Sequence, residues 1–301
     1  MFGDVYSRSR CYTLGLARAV ARALRRYVII ARYISKIDEE MAEVETAMSI
    51  PDRSKARRSA FFGRRKGHAL RPRQAGLFDT LLPRLAIELA KPAPPDLGLL
   101  FPNPVDSVRL EIGFGGGEHM IAQAQQHPRT GFIGVEPFVN GMAKALAAID
   151  LKNLSNIRLH FDDAVFLLEW LPPASLACVD LIYPDPRPKR RHWKRRFIQD
   201  ESVAAIARIL RPGGEFRFAT DVADYAAWTL KHLIRSSDFA WTAERADDWR
   251  RAWSGFSATR YEAKARREGR ARCYLTFRRT GGGARAPDDP GRRTTDRARA
   301  V

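Results

Sequence analysis

The chain has 301 residues, 45% of them hydrophobic, and its 52 Lys and Arg against 34 Asp and Glu leave a formal net charge of +18. That length suits one large α/β domain with tails, and the hydrophobic fraction is that of a globular protein. No uncharged apolar stretch reaches the roughly 18 residues of a membrane span, so a soluble protein is expected.

A surface this basic favours nucleic acid, because each phosphate neutralised by Lys or Arg releases condensed counterions. An anionic membrane surface competes as a partner, and a compositional excess of arginine is the bland alternative. Cys11, Cys178 and Cys273 are odd in number and far apart, which argues against a disulfide framework and for a reducing, cytoplasmic compartment. Cys178 sits in an apolar run and is expected in the core. The six histidines show no metal-ligand spacing, so no metal is expected.

Along the chain, residues 1–52 open with a stretch in which arginines punctuate an apolar run and no acid occurs from Val5 to Ser35. A transit-type peptide, a membrane-surface helix and an upstream extension of a protein starting at Met41 or Met48 compete; the extension is favoured, because the domain that follows needs none of it. Residues 53–104 combine a basic segment (53–73), read as a flexible arm broken by Gly63, Gly67 and Pro72, with a short helix over 78–89 and a Pro-rich linker. From 105 to 280 strand-like and helix-like segments alternate: strands at 108–113, 131–136, 156–163, 176–185 and 214–221, helices between them, and a last strand at 271–279. Alternating β and α predicts a doubly wound parallel sheet covered by helices on both faces. Residues 281–301 read as a disordered basic tail.

The most informative segment is Leu110-Glu111-Ile112-Gly113-Phe114-Gly115-Gly116-Gly117-Glu118, a strand entering a glycine-rich turn and then a helix. Gly113, Gly115 and Gly117 allow positive φ and let a ligand lie against the backbone. Such a loop alone is a weak signal, serving nicotinamide, flavin and S-adenosylmethionine alike. The next strand ends in Glu136, where a carboxylate can accept from both ribose hydroxyls, and the third ends in Asp162-Asp163, where an adenine amino group can be received. The carboxyl ends of such strands border one crevice, so Glu111, Glu136 and Asp163 can converge. Glu118 at the helix start and Glu111 would repel a pyrophosphate, whereas the sulfonium and ammonium of S-adenosylmethionine suit an acidic pocket. Ordinary solvated acids at strand ends are the plain alternative.

The fourth strand runs into Tyr183-Pro184-Asp185-Pro186-Arg187-Pro188-Lys189. Flanking prolines hold Asp185 rigidly at the crevice mouth, and the Lys and Arg crowded between Arg187 and Arg196 bring phosphate-binding charge beside it. Asp221 ends the fifth strand. Thr259-Arg260-Tyr261-Glu262 offers hydroxyl, guanidinium, ring and carboxylate for an unstacked base; equally, it is a helix start with Thr259 as cap and Glu262 completing a capping box.

In that order and spacing, LEIGFGGGE, GVEPF, HFDDA, YPDPRPKRRHWKRR, FATD and TRYE resemble the bacterial tRNA (guanine-N7-)-methyltransferase family, over roughly residues 60–280. The resemblance implies a Rossmann-like class I methyltransferase fold of seven strands, mostly parallel with an antiparallel last strand, and methyl transfer from S-adenosyl-L-methionine to a variable-loop guanine of tRNA. It implies Glu111, Glu136 and Asp163 at the cofactor, Asp185 at cofactor and catalytic centre, and Lys189, Asp221 and Thr259 to Glu262 at the tRNA. One position departs: the family more often has Trp after PDP, where this chain has Arg187, which bears on base-stacking there. Monomer and homodimer both stay open. The rivals are a methyltransferase of another acceptor, a noncatalytic RNA-binding protein that keeps the fold, and a nicotinamide dehydrogenase, the last disfavoured by the pocket acids.

Overall fold

A computed structural model describes residues 63–281. The expectations for residues 1–52, for the first part of the basic arm and for the tail from residue 282 lie outside the described residues. Two helices, α1 (Pro72–Thr80) and α2 (Leu82–Leu85), and a 3₁₀ turn (Leu97–Leu100) precede the sheet. The alternating part then runs β1 (Ser107–Ile112), α3 (Glu118–Gln126), β2 (Thr130–Val135), α4 (Val139–Lys152), β3 (Ile157–His160), α5 (Ala164–Trp170), β4 (Leu176–Ile182), α6 (Asp200–Ile209), β5 (Leu210–Thr220) and α7 (Ala223–Arg235). It closes with β6 (Phe239–Trp241), α8 (Asp247–Arg250), α9 (Arg260–Arg267) and β7 (Cys273–Arg279).

Seven strands form one sheet in the order β3-β2-β1-β4-β5-β7-β6. The first five strands pair in parallel, and β7 runs antiparallel to both β5 and β6. The expected α/β sheet with an antiparallel last strand is therefore present. From β1 the chain winds outward through β2 to β3, then crosses back to β4 on the other side of β1. This reversal opens a crevice at the carboxyl ends of β1 and β4, where a doubly wound sheet binds its ligand.

Side-chain alternation assigns the two faces. Val108, Leu110 and Ile112 of β1, with Ile133 and Val135 of β2, pack in one core with α5, α6 and α7. Phe132, Ile157 and Leu159 pack in the other with Met120 of α3, Leu146 and Ile149 of α4, and Leu77 of α1. Helix ends follow local chemistry. Asn153 in the left-handed region (φ 49°) stops α4, and Asp163 starts α5 by accepting from the Val165 N–H at 3.1 Å.

Several segments differ from the sequence-based expectation. Pro72 opens α1 rather than breaking it, since its missing N–H is one a helix start leaves unpaired anyway. The Pro-rich linker carries core residues: Leu97 and Phe101 are buried, and the Phe101 ring fills the space a side chain at Gly131 would need. β4 stops at Ile182, because Tyr183 turns left-handed (φ 51°) and ends the pairing before Pro184.

Candidate functional site

The carboxyl ends of β1, β2 and β4 and the start of α5 open into one cavity of 370 Å³, bordered by Gly113, Glu136, Asp163, Asp185, Arg260 and Tyr261 among others. Two hollows of 690 Å³ lie elsewhere, one around Arg245 to Trp253, the other around Leu89, Phe166 and Trp170. Neither collects the ends of β1, β2 and β4, so the smaller cavity is the chemical candidate despite its size.

Glycine shapes its floor. Gly113, Gly115 and Gly117 all have positive φ. A Cβ on Gly113 would meet nothing within 4 Å, leaving bare backbone facing the cavity. The loop is braced from β2: the Glu136 carboxylate accepts from the Gly115 N–H at 2.7 Å and from the Phe138 N–H at 2.9 Å. Glu136 is 6% exposed, and burial raises its pKa above the usual glutamate value although both N–H groups favour the charged form. Asp163, also buried, lines the cavity while capping α5.

Glu111 stands behind this wall, not among the residues lining the cavity. It is buried and 2.8 Å from Nδ1 of buried His119. Burial raises the Glu111 pKa against the opposing pull of His119. Burial also works against charge on His119, but the carboxylate beside it wins and the histidine pKa is raised. An Arg109–Asp180 ion pair (2.8 Å) lies in the same buried cluster. Gln123 accepts from Arg109 at 3.2 Å and donates to the Gly255 carbonyl at 2.6 Å, tying α3 to the loop that leads into α9.

On the other side, Asp185 lines the cavity with its side chain 60% exposed. Its Oδ1 accepts from the Arg187 N–H at 3.2 Å, and its Oδ2 lies 3.2 Å from the Arg187 guanidinium. Lys189 is exposed and outside the cavity lining. Asp221 is paired with Arg270 at 2.7 Å. Thr259 caps α9, accepting from the Glu262 N–H at 3.3 Å, but the capping box is not completed. The buried Glu262 carboxylate instead accepts from the Tyr274 hydroxyl at 2.8 Å and from Arg266 at 3.3 Å, because β7 offers it a buried donor. Arg260 lies 3.4 Å from Glu118. Tyr261, about half exposed, faces Tyr183 with ring centroids 6.5 Å apart and planes 23° from parallel.

Several features escaped sequence reasoning. Arg196 does not join the phosphate-facing run: its side chain is 0% exposed. Its guanidinium lies over the rings of Trp193, Tyr225 and Trp228 and is ion-paired with Asp224. Its Nε donates to the Pro186 carbonyl at 3.0 Å, which pins the Asp185 loop. Nothing local in a run of identical cations distinguishes this one. The described part of the basic arm is likewise held: Arg65 pairs with Asp162 and its carbonyl accepts from the Val139 N–H, both at 2.9 Å, while the Gly67 N–H donates to Asn140 at 2.8 Å. Gly63 and Arg64 thereby join the cavity lining. The clip is spread over partners 73 and 97 residues away, which no local pattern exposes.

A family model described as "Putative methyltransferase" matches residues 106–275. A tRNA (guanine-N(7)-)-methyltransferase of Rhodopseudomonas palustris (strain BisB18) is 61% identical over 245 residues, 81% of this chain and 94% of its own length. The chain belongs to the tRNA (guanine-N(7)-)-methyltransferase family. A second member, from Bradyrhizobium diazoefficiens, is 61% identical over 232 residues, 77% of this chain and 98% of that one. The family match begins at β1 and ends within β7, so it spans the cavity's strand ends and the Asp185 loop. Among the described residues there is no group of three or more His, Cys, Asp or Glu able to hold a metal ion, and no helix long and apolar enough to cross a membrane.

Proposed function

We propose that this protein transfers the methyl group of S-adenosylmethionine to N7 of a guanine in tRNA, the variable-loop guanine being the acceptor the motifs imply. The observation carrying this reading is the two-sided cavity: buried carboxylates and bare glycine backbone on one side, an exposed aspartate among arginines and tyrosines on the other. S-adenosylmethionine supplies an electrophilic methyl on a cationic sulfur. The residues fit such a ligand, since Gly113 leaves room for it against the backbone and Glu136 and Asp163 match its hydroxyl and amino donors. Each Glu136 oxygen already accepts one N–H and keeps a second lone pair for a hydroxyl.

In the transfer, the N7 lone pair forms the new N–C bond while the C–S electron pair returns to sulfur, leaving a neutral thioether and a cationic 7-methylguanine. N7 carries no proton, so no general base is needed. The protein's part is alignment, which removes the entropic share of the barrier, and a carboxylate, Asp185, near the positive charge that develops on the base. The Tyr183–Tyr261 pair supplies ring faces for an unstacked base. Exposed Lys189, Arg191 and Lys194 are placed for backbone phosphates.

The test is methyl transfer from labelled S-adenosylmethionine to unmodified tRNA, followed by nucleoside analysis. Label in 7-methylguanosine is the expected result. Label in another nucleoside, or no transfer when both ligands bind, rejects the proposal.

A further inference from the structure

We infer that Arg187 is a specificity-determining residue that donates to O6 of the acceptor guanine, an inference resting on the guanine-N7 reading above. Three observations converge on it. The first is backbone conformation. Four described non-glycine residues have positive φ, and two of them, Tyr183 (51°) and Arg187 (46°), flank Asp185. A side-chain-bearing residue is strained in that region, and such outliers persist where the surroundings over-determine them, often at ligand sites.

The second is where the side chain goes. Arg187 stands just ahead of the cation run from Lys189 to Arg196, yet its side chain is only 18% exposed and lines the cavity, with its guanidinium 3.2 Å from the Asp185 carboxylate. Its Nε–H has no hydrogen-bond partner among the described residues. Arg260, another arginine of the cavity lining, is engaged with Glu118 and the Tyr261 ring.

The third is the chemistry of the base edge. Guanine presents O6 and N7 as neighbouring acceptors, whereas adenine presents an amino donor beside N7. The reaction needs the N7 lone pair free, so a donor beside it can use only O6. A guanidinium there accepts guanine and opposes adenine, whose amino group would meet a donor. A lone cation would also oppose the positive charge forming on the base. The pairing with Asp185 removes that objection, because the donor arrives as one half of a neutral pair. The same contact would set the register of N7 over the methyl group.

The experiment measures kcat/KM for two tRNAs, one with guanine at the acceptor position and one with 2-aminopurine, which keeps N7 and lacks O6. The guanine preference of wild type is compared with that of Arg187→Met, so the intrinsic difference in N7 nucleophilicity divides out. Wild type is expected to prefer guanine by about 30-fold or more, and Arg187→Met to reduce the preference at least about 10-fold, the order of one good base-edge contact. An unchanged preference in Arg187→Met overturns the inference while leaving the guanine-N7 reading intact. A wild-type enzyme that makes no 7-methylguanosine on the guanine tRNA overturns both. Should Arg187→Met fail to fold, Arg187→Ala, which also lacks a donor, is read in the same way: a preference reduced several-fold supports the contact, and an unchanged one rejects it.

Discussion

The two walls of the cavity are built on opposite principles. On the β1–β3 side, Glu136 and Asp163 are buried and their carboxylates are held by backbone N–H groups of the loops they line. On the β4–β5 side, Asp185 is 60% exposed, and its partners are the Arg187 guanidinium and the same residue's N–H. The first wall resembles a mould made for a small ligand of constant shape, with its polar groups oriented in advance. The second keeps its charged groups near solvent, where a macromolecule can reach them. The difference lies in the cost of error: a misplaced cofactor stops every reaction, while the acceptor side must also release a large product.

The comparison can be broken at its most sensitive point first. Asp185→Asn keeps the loop's size and one acceptor but removes the charge; kcat is expected to fall by about 10²–10³-fold, the scale of one oriented electrostatic group, with tRNA affinity unchanged in a binding titration. Activity close to wild type would remove Asp185 from the chemistry. Arg196→Met tests whether the exposed wall depends on a buried brace. It deletes a caged guanidinium and the Pro186 contact, and unfolding by urea should show a loss of about 3 kcal/mol, whereas a stability equal to wild type would mean the loop holds itself.

Glu136→Gln tests the mould. It loses charge and leaves one backbone N–H facing an amide donor, so calorimetry should find S-adenosylmethionine binding weakened about 10–100-fold. Because burial raises the Glu136 pKa, wild-type cofactor affinity should fall as the pH drops through that raised pKa, above the ordinary glutamate range, since protonation removes an acceptor. A titration that follows the ordinary glutamate value would contradict the burial argument. The smallest effect is expected at the rim: Lys194→Gln should weaken tRNA binding a few-fold and lower the slope of log affinity against log salt by about 1. An unchanged slope would detach Lys194 from the phosphates.

How much of this was legible beforehand followed the range of the interaction. The parallel sheet and the acids at strand ends depend on period-two patterning and on residues next to glycine, all local signals, whereas the antiparallel last strand was implied only by the family resemblance. β6 left no trace, because three residues (Phe239–Trp241) are too few to set a period. The contact of the Glu111 carboxylate with Nδ1 of His119, the second residue of α3, is set by how strand and helix pack, and no pattern around Glu111 announces it. Arg196 and Lys194 are near neighbours of the same charge, and only the Trp228 ring of α7 and the Trp193 ring separate a brace from a solvated cation. The Asp185–Arg187 pair was hidden by a φ value that no residue-type preference predicts for arginine.

Gly141, in the first turn of α4, lies so close to the glycine loop that a Cβ there would come within 2.4 Å of the Gly115 carbonyl oxygen. Helix and loop are two backbones in direct apposition, with no side chain between them that could give way. Position 141 is thus closed to every other amino acid although it is not among the residues lining the cavity. Mutational tolerance and chemical participation part company here: a map of intolerant positions would mark Gly141 as strongly as Asp185, and only the geometry tells the hinge pin from the blade.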